Sequence, residues 1–398
     1  MSSTKIDLWS IGPSVYLPSL LFGIGQGAIA PVIPLSARHL GASVATAGLV
    51  VAFLGVGRVI GDLPAGLLAI RMGERRAMLV ALVVTVAALG ACITATSVAV
   101  LIVAVVFIGF ATAVFGLARH AYLADVMPYE QRGRALSTLG GTHRVGMFVG
   151  PFLGAAMMKG LGTDGGYWLH VVASVAAAVV LIVVPDPPTA RHVVEAHRSP
   201  SPISMRRVIR QQAPVLRTLG AAALLVGAAR ASREVALPLW GEEIGLSPAT
   251  TSLIFGISGA VEMLLFYPAG MVMDRMGRRW VVVPSMLILG MSLVLLPLTA
   301  ALGTYTAVAA LMGLGNGLGS GIIMTIGADV SPDGGRAAFL GAWRLLSDVG
   351  NGLGPLSVSA VTAVATLGVA VAAAGGIAFL AAGLMARWVP RHRPSHPS

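Results

Sequence analysis

Five charged side chains stand where charge is unfavourable. Arg58, Arg144, Arg230, Glu262 and Asp348 lie deep inside long apolar runs, with His143 and Asn316 in the same setting. Asp62, Arg119 and His120 fall nearer one end of such runs, and Arg233 and Glu234 nearer the other. An ionised group at the middle of a lipid-embedded helix costs roughly 2.5–3.5 kcal/mol on insertion scales, which makes each a candidate for function. The chemistry on offer is that of ion pairs and protons. A carboxylate takes up or releases a proton according to whether an arginine faces it, a histidine can relay one, and guanidinium groups can hold an anion through paired hydrogen bonds. Covalent chemistry has no comparable support. The chain has no Walker phosphate loop, no H-E-x-x-H and no G-x-S-x-G. Its single cysteine, Cys92, sits in an apolar stretch, so neither a disulfide framework nor a cysteine-based metal site is available. No enzyme activity, cofactor or metal is expected.

The elements that must position these groups are helices in lipid. Hydrophobic residues make up 56% of the 398 residues and charged ones 11%, against about 25% charged in soluble domains. Fifty glycines suit close helix–helix approach in a bilayer. The net charge of +11 is gathered in short arginine clusters between apolar runs, a topology signal that points away from nucleic acid. A crossing needs roughly 20 mostly apolar residues, and twelve such spans are read at 12–35, 43–69, 77–96, 99–123, 134–159, 166–184, 214–239, 249–273, 280–300, 303–327, 336–360 and 364–388. The polar Met1–Ser10 shows no cleavable leader pattern, and Ile11–Leu35 reads as the first span. Residues 1–184 and 214–398 are thus two six-span bundles joined by a Pro- and Arg-rich linker, 185–213, with a short amphipathic helix near Ile203–Gln211. Arg71, Arg75, Arg76, Arg132, Arg134, Arg191 to Arg210, Arg275, Arg278, Arg279 and Arg336 occupy alternate loops, and Arg391 and Arg393 the tail. That bias puts both termini in the cytoplasm of a cell (inner) membrane protein.

The two bundles repeat one another at an offset of 204 residues. Arg71-Met-Gly-Glu-Arg-Arg76 matches Arg275-Met-Gly-Arg-Arg279, and Pro64-Ala-Gly66 matches Pro268-Ala-Gly270. Ala124-Asp125-Val126 with Pro128 and Arg132 matches Ala328-Asp329-Val330 with Pro332 and Arg336, and Gly150-Pro151 matches Gly354-Pro355. The same offset sets Arg58 against Glu262 and Arg144 against Asp348, with opposite charge at equivalent places. Gly73 and Gly277 supply the tight reversals between spans.

These residues carry a resemblance to the major facilitator superfamily. Gly270-Met-Val-Met-Asp274-Arg275-Met-Gly277-Arg278-Arg279 resembles its loop signature between the eighth and ninth spans, and Gly66 to Arg76 the copy between the second and third. Asp125 to Arg132 and Asp329 to Arg336 resemble its D-x-x-P-x-x-x-R loops. Gly146-x-x-x-Gly150-Pro151-x-x-Gly154 in the fifth span resembles the motif of its drug–proton antiporters, although glycine–proline pairs equally serve packing. The resemblance implies an all-α fold of twelve transmembrane helices in two pseudo-symmetric bundles, with the signature loops acting as gates. Two departures stand out. Ile70 and Glu74 replace the acid and base of the first loop copy, which leaves Asp274 to supply the implied latch. The antiporters' arginine early in the fourth span is missing near Val105, and Gln26 is the only mid-span polar residue of the first span.

In that fold the second span meets the eleventh and the fifth meets the eighth across the half–half boundary. Arg58–Asp348 and Arg144–Glu262 are therefore expected as symmetry-related pairs, either exchanging during transport and coupling it to protons or serving as static glue. Gln26, His143, Arg230, Asn316 and Trp343 are candidate cavity residues; the alternatives are helix bridging for Gln26 and Asn316, plain packing for His143 and Trp343, and neutralisation by the acids for Arg230. The functional expectation is secondary transport of a small molecule, drug export against protons first, with uptake of a small organic anion by symport or uniport as the alternative. The expected partners are the solute, protons and lipid, and a monomer suffices. A non-transporting receptor or scaffold does not account for the interior charge.

Overall fold

The computed structural model describes residues 12–127, 129–184, 209–332 and 336–389, and among them the regular structure is entirely helical. Most of the expected linker 185–213, including all but the end of Ile203–Gln211, lies outside the described residues. The helices are α1 (Leu17–Ile29, led in by a π-helical turn at Gly12–Tyr16), α2 (Val32–His39), α3 (Val44–Met72), α4 (Glu74–Ile93), α5 (Val98–Val126), α6 (Tyr129–Leu161) and α7 (Asp164–Val183). The second half follows with α8 (Ala221–Glu243), α9 (Pro248–Met276), α10 (Arg279–Leu295), α11 (Leu302–Leu318), α12 (Ile322–Asp329), α13 (Arg336–Val364) and α14 (Leu367–Trp388). By length and composition nine stretches among the described residues could cross a membrane, or ten if the bent pair α1–α2 is one span. The two long helices beyond these are α6 and α13, which carry Arg144 and Asp348 among their glycines.

Two expected spans are broken. The first bends by 41° between α1 and α2, where Pro31 lacks an amide N–H to continue the ladder. The tenth, expected as one helix over 303–327, stops at Gly319 and restarts after Gly321, whose φ of +79° suits glycine alone. Arg132 and Arg134, expected in a loop, belong to the first turns of α6. Arg75 and Arg76 likewise start α4, just beyond Gly73 at φ +83°, and Gly277 makes the equivalent reversal at φ +99°.

The described residues form two compact units. One holds 12–42, 53–184 and 248–256, and the other 43–52, 209–247 and 257–389, so the opening turns of α3 and α9 belong to the opposite unit from the rest of those helices. In the first unit Phe22 stacks on Phe115 with centroids 4.2 Å apart, within a core of Ala65, Met78, Leu82, Val114 and Leu181. A second cluster joins Val15, Tyr122, Leu123, Val126, Ala135 and Leu139.

Glycine sets the backbone distances, and it does so twice. In the first unit a Cβ at Gly146 would strike the backbone of Leu20 and Ile24, and one at Gly150 that of Ile24 and Ala28. In the second unit Gly350 meets Leu224, and Gly354 meets Ala228 and Ser232. Every partner in the second set stands 204 residues after its counterpart. The repeat read from the loops therefore extends to helix-on-helix contact. Gly154 continues the row against Ala28, and the glycine–proline motif of the fifth span seats α6 on α1.

Candidate functional site

The second unit holds a connected polar network drawn from three helices. Arg230 and Arg233, three residues apart on α8, share a face, as do Ser258 and Glu262, four apart on α9. One oxygen of Glu262, Oε2, accepts from Asn316 Nδ2 of α11 at 2.7 Å and pairs with Arg233 Nη2 at 3.2 Å. Arg233 Nη1 also donates to Ser258 Oγ at 3.2 Å, and Arg230 Nη2 donates to the Asn316 carbonyl at 2.9 Å. Asn316 is 9% exposed, and its Oδ1 has no hydrogen-bond partner among the described residues. Helix α11 reaches this close because it is glycine-rich. A Cβ at Gly317 would fall 2.7 Å from the Glu262 carbonyl, and one at Gly319 would fall 2.6 Å from Arg230 Nη2.

The first unit has the same bridge without charge. Gln26 Nε2 donates to Thr112 Oγ1 at 2.9 Å, and these residues stand 204 before Arg230 and Asn316. Equivalent helices are thus joined at equivalent places, by an amide and a hydroxyl in one unit and by a guanidinium and a carbonyl in the other. His143 on α6 packs against α1 near Gly23, its Nδ1 donating to the Ser19 carbonyl at 3.2 Å. Arg58 and Arg144 are exposed on the surface of α3 and α6. Asp348, half-exposed, is 3.5 Å from Arg344 on the next turn of α13, an arrangement that contributes little in water.

The network differs from the sequence reading at several places. Glu262, expected to face Arg144, engages Arg233 and Asn316 inside its own unit, and Asp348, expected to face Arg58, has Arg344 beside it. Arg233, Ser258 and Thr112 were not singled out for the site. The signals were present: Arg233 is one turn from Arg230, and Thr112 is the repeat mate of Asn316. Trp343, a candidate cavity residue with packing as the alternative reading, is fully buried, its indole N–H donating to the Ile323 carbonyl at 2.9 Å.

The loop motifs are asymmetric. Arg278 Nε pairs with Asp329 Oδ2 at 2.8 Å, while its Nη1 reaches Asp274 Oδ1 at 3.3 Å and the Met273 carbonyl at 3.0 Å. One guanidinium thereby ties the end of α9 to the end of α12. At the equivalent place in the first unit stands Glu74, which cannot make that bond to an acid. Arg75 there donates to the carbonyls of Leu181, at 2.6 Å from Nε, and Val184 at the end of α7. Gly66 and Gly270 lie within α3 and α9 facing open space, and Arg71 and Arg275 occupy the last turns of those helices. The side chains of Asp125, Arg132 and Arg336 lie outside the described residues.

Two copies of one helical unit, each with a polar bridge sunk among apolar helices, define a polytopic membrane protein built on an internal repeat. The family model described as Major Facilitator Superfamily matches residues 15–232 and 219–398, and the chain belongs to that family. An uncharacterised MFS-type transporter of Mycobacterium tuberculosis is 27% identical over 172 residues, 42% of this chain and 25% of the relative. The galactose–proton symporter of Escherichia coli is 26% identical over 191 residues, 46% of this chain and 40% of the relative. A glucose transporter of Staphylococcus epidermidis is 31% identical over 186 residues, with the same shares. The matches span between a quarter and two fifths of these curated relatives. Among solved structures, the nucleoside transporter NupG superposes with a TM-score of 0.76 at 14% identity, covering 96% of this chain and 99% of that one. A D-xylose–proton symporter does so at 0.73 and 18%, covering 96% and 98%. At those identities the likeness is one of fold.

Proposed function

We propose that the chain is a proton-coupled uptake permease for a small hydrophilic solute, with Glu262 as the proton-bearing group. The observation that carries this is the sharing of one Glu262 oxygen by Arg233 and Asn316. Protonating that carboxylate weakens both bonds at once and frees a cation and an amide in a bundle centre, so proton occupancy and solute contacts are linked. One relative bears the name of a galactose–proton symporter and another that of a glucose transporter, which supports proton-coupled movement of a hydrophilic solute. Among the charges set deep in the apolar runs of the sequence, the excess of Arg58, Arg144 and Arg230 over Glu262 and Asp348 favours an anionic solute among hydrophilic ones. Drug export against protons, the other reading of the sequence, drew on the glycine–proline motif of the fifth span, and packing against α1 accounts for those glycines.

In the transport cycle the acids exchange partners. Glu262 leaves Arg233 for Arg144, and Asp348 leaves Arg344 for Arg58, as the halves rock about the solute in alternating access. We place the protein as a monomer in the cell (inner) membrane, with the arginine-rich loops and both termini in the cytoplasm. The test is uptake by proteoliposomes, acid outside and alkaline inside, from a panel of radiolabelled sugars, nucleosides and small carboxylates. At least one compound accumulates above equilibrium, and a protonophore abolishes the accumulation. Gradient-driven extrusion with no accumulated compound would establish export instead.

A further inference from the structure

The first unit contains a second polar cluster, separate from the Glu262 network. Two contacts fix the antiparallel register of α1 and α5: the Gln26–Thr112 bridge at 2.9 Å and the Phe22–Phe115 stack at 4.2 Å. Seven residues before Gln26 stands Ser19, and seven after Thr112 stands Arg119. Seven residues are about two helical turns, so both lie on the bridge-bearing faces, about 10 Å further toward the arginine-loop end. Arg119 is 9% exposed and Ser19 0%. Nε and Nη1 of Arg119, Oγ of Ser19 and, one turn beyond, the hydroxyl of Tyr16 are buried without a hydrogen-bond partner among the described residues. His143 borders the cluster through its bond to the Ser19 carbonyl. Among the described residues the charged side chains acting on His143 are those of Arg119, Arg58 and His120, with no carboxylate.

Each of these unpartnered groups can donate a hydrogen bond, and none has an acceptor among the described residues. A buried guanidinium with no counter-charge is strongly unfavourable, and buried donors in native proteins almost always find a partner. What these residues have in common is the capacity to bind one compact negative group. We propose that Arg119, Ser19 and Tyr16 form an anion-binding site that takes a halide or a small carboxylate, with Arg119 as its anchor. The site does not depend on the direction of transport or on the role of Glu262.

The test is thermal unfolding of the purified full-length protein in a buffer whose only anion is a bulky sulfonate. Sodium chloride, formate or acetate is added at constant ionic strength. The melting temperature of the unmodified chain rises with the logarithm of the concentration of at least one of these salts, as expected of a ligand that binds only the folded state. A response to chloride alone assigns a halide site, and a response to formate or acetate a carboxylate site. Arg119→Gln abolishes the dependence, while Ser19→Ala and Tyr16→Phe each raise the half-saturating concentration by roughly tenfold. The proposal is overturned if no salt acts beyond the sulfonate control, or if Arg119→Gln responds like the unmodified chain. Should Arg119→Gln fail to fold, an unchanged half-saturating concentration in both hydroxyl variants overturns it equally.

Discussion

Glu262 contributes a single oxygen to two donors, and that economy decides what each substitution does. Glu262→Gln mimics the protonated side chain and cannot release the proton. It is expected to lower gradient-driven accumulation by at least about tenfold, the scale of one lost pairing with a charged group. Exchange of labelled for unlabelled solute across equilibrated vesicles, which needs no net proton movement, persists. Loss of both activities together would remove Glu262 from the coupling role and make it structural. At this scale the sequence was most informative where charge interrupts an apolar run, as at Arg230, Glu262 and Asn316, because lipid makes every such residue conspicuous. It was least informative about partners. Arg233 looks peripheral by its place near the end of a span, yet the α-helical period puts it on the face of Arg230 and against Glu262. Trp343 is amphipathic, and nothing in its type distinguishes a cavity wall from the packed core in which it sits.

Helices approach in this protein where side chains are absent. Gly146 and Gly150 seat α6 on α1, and Gly350 and Gly354 seat α13 on α8 through equivalent backbone atoms. Gly150→Ala and Gly354→Ala each place a methyl against the neighbouring backbone. Each is expected to cost about 1–3 kcal/mol, the usual penalty of overpacking, read as a lower melting temperature, and the two losses should be of similar size because the contacts are equivalent. Gly352, where a side chain would meet open space, is the control, and Gly352→Ala should leave the melting temperature unchanged. A destabilisation at Gly150 with none at Gly354 would mean that the two bundles are packed by different means. Spans and their order were legible as elements, since apolar length is all that a crossing requires. Their interruptions were not. Pro31 and Gly319 to Gly321 break helices that hydropathy reads as continuous, because proline and glycine are also tolerated inside membrane helices and so do not by themselves mark an end.

Across the whole molecule the sequence repeat and the structural repeat coincide. Gln26–Thr112 and Arg230–Asn316 join equivalent helices, and Gly73 and Gly277 turn the chain at equivalent loops. The units differ in charge more than in backbone: a neutral bridge and exposed arginines in one, an ion-paired bridge and an Arg278 latch in the other. That division of labour, with the proton group confined to one copy, is the central claim. It is tested most directly in vesicles enclosing a pH-sensitive dye, with no imposed gradient. Adding a transported solute outside should acidify the lumen, and Glu262→Gln should abolish that signal. Alkalinisation on adding solute, or an acidification that survives Glu262→Gln, would contradict it.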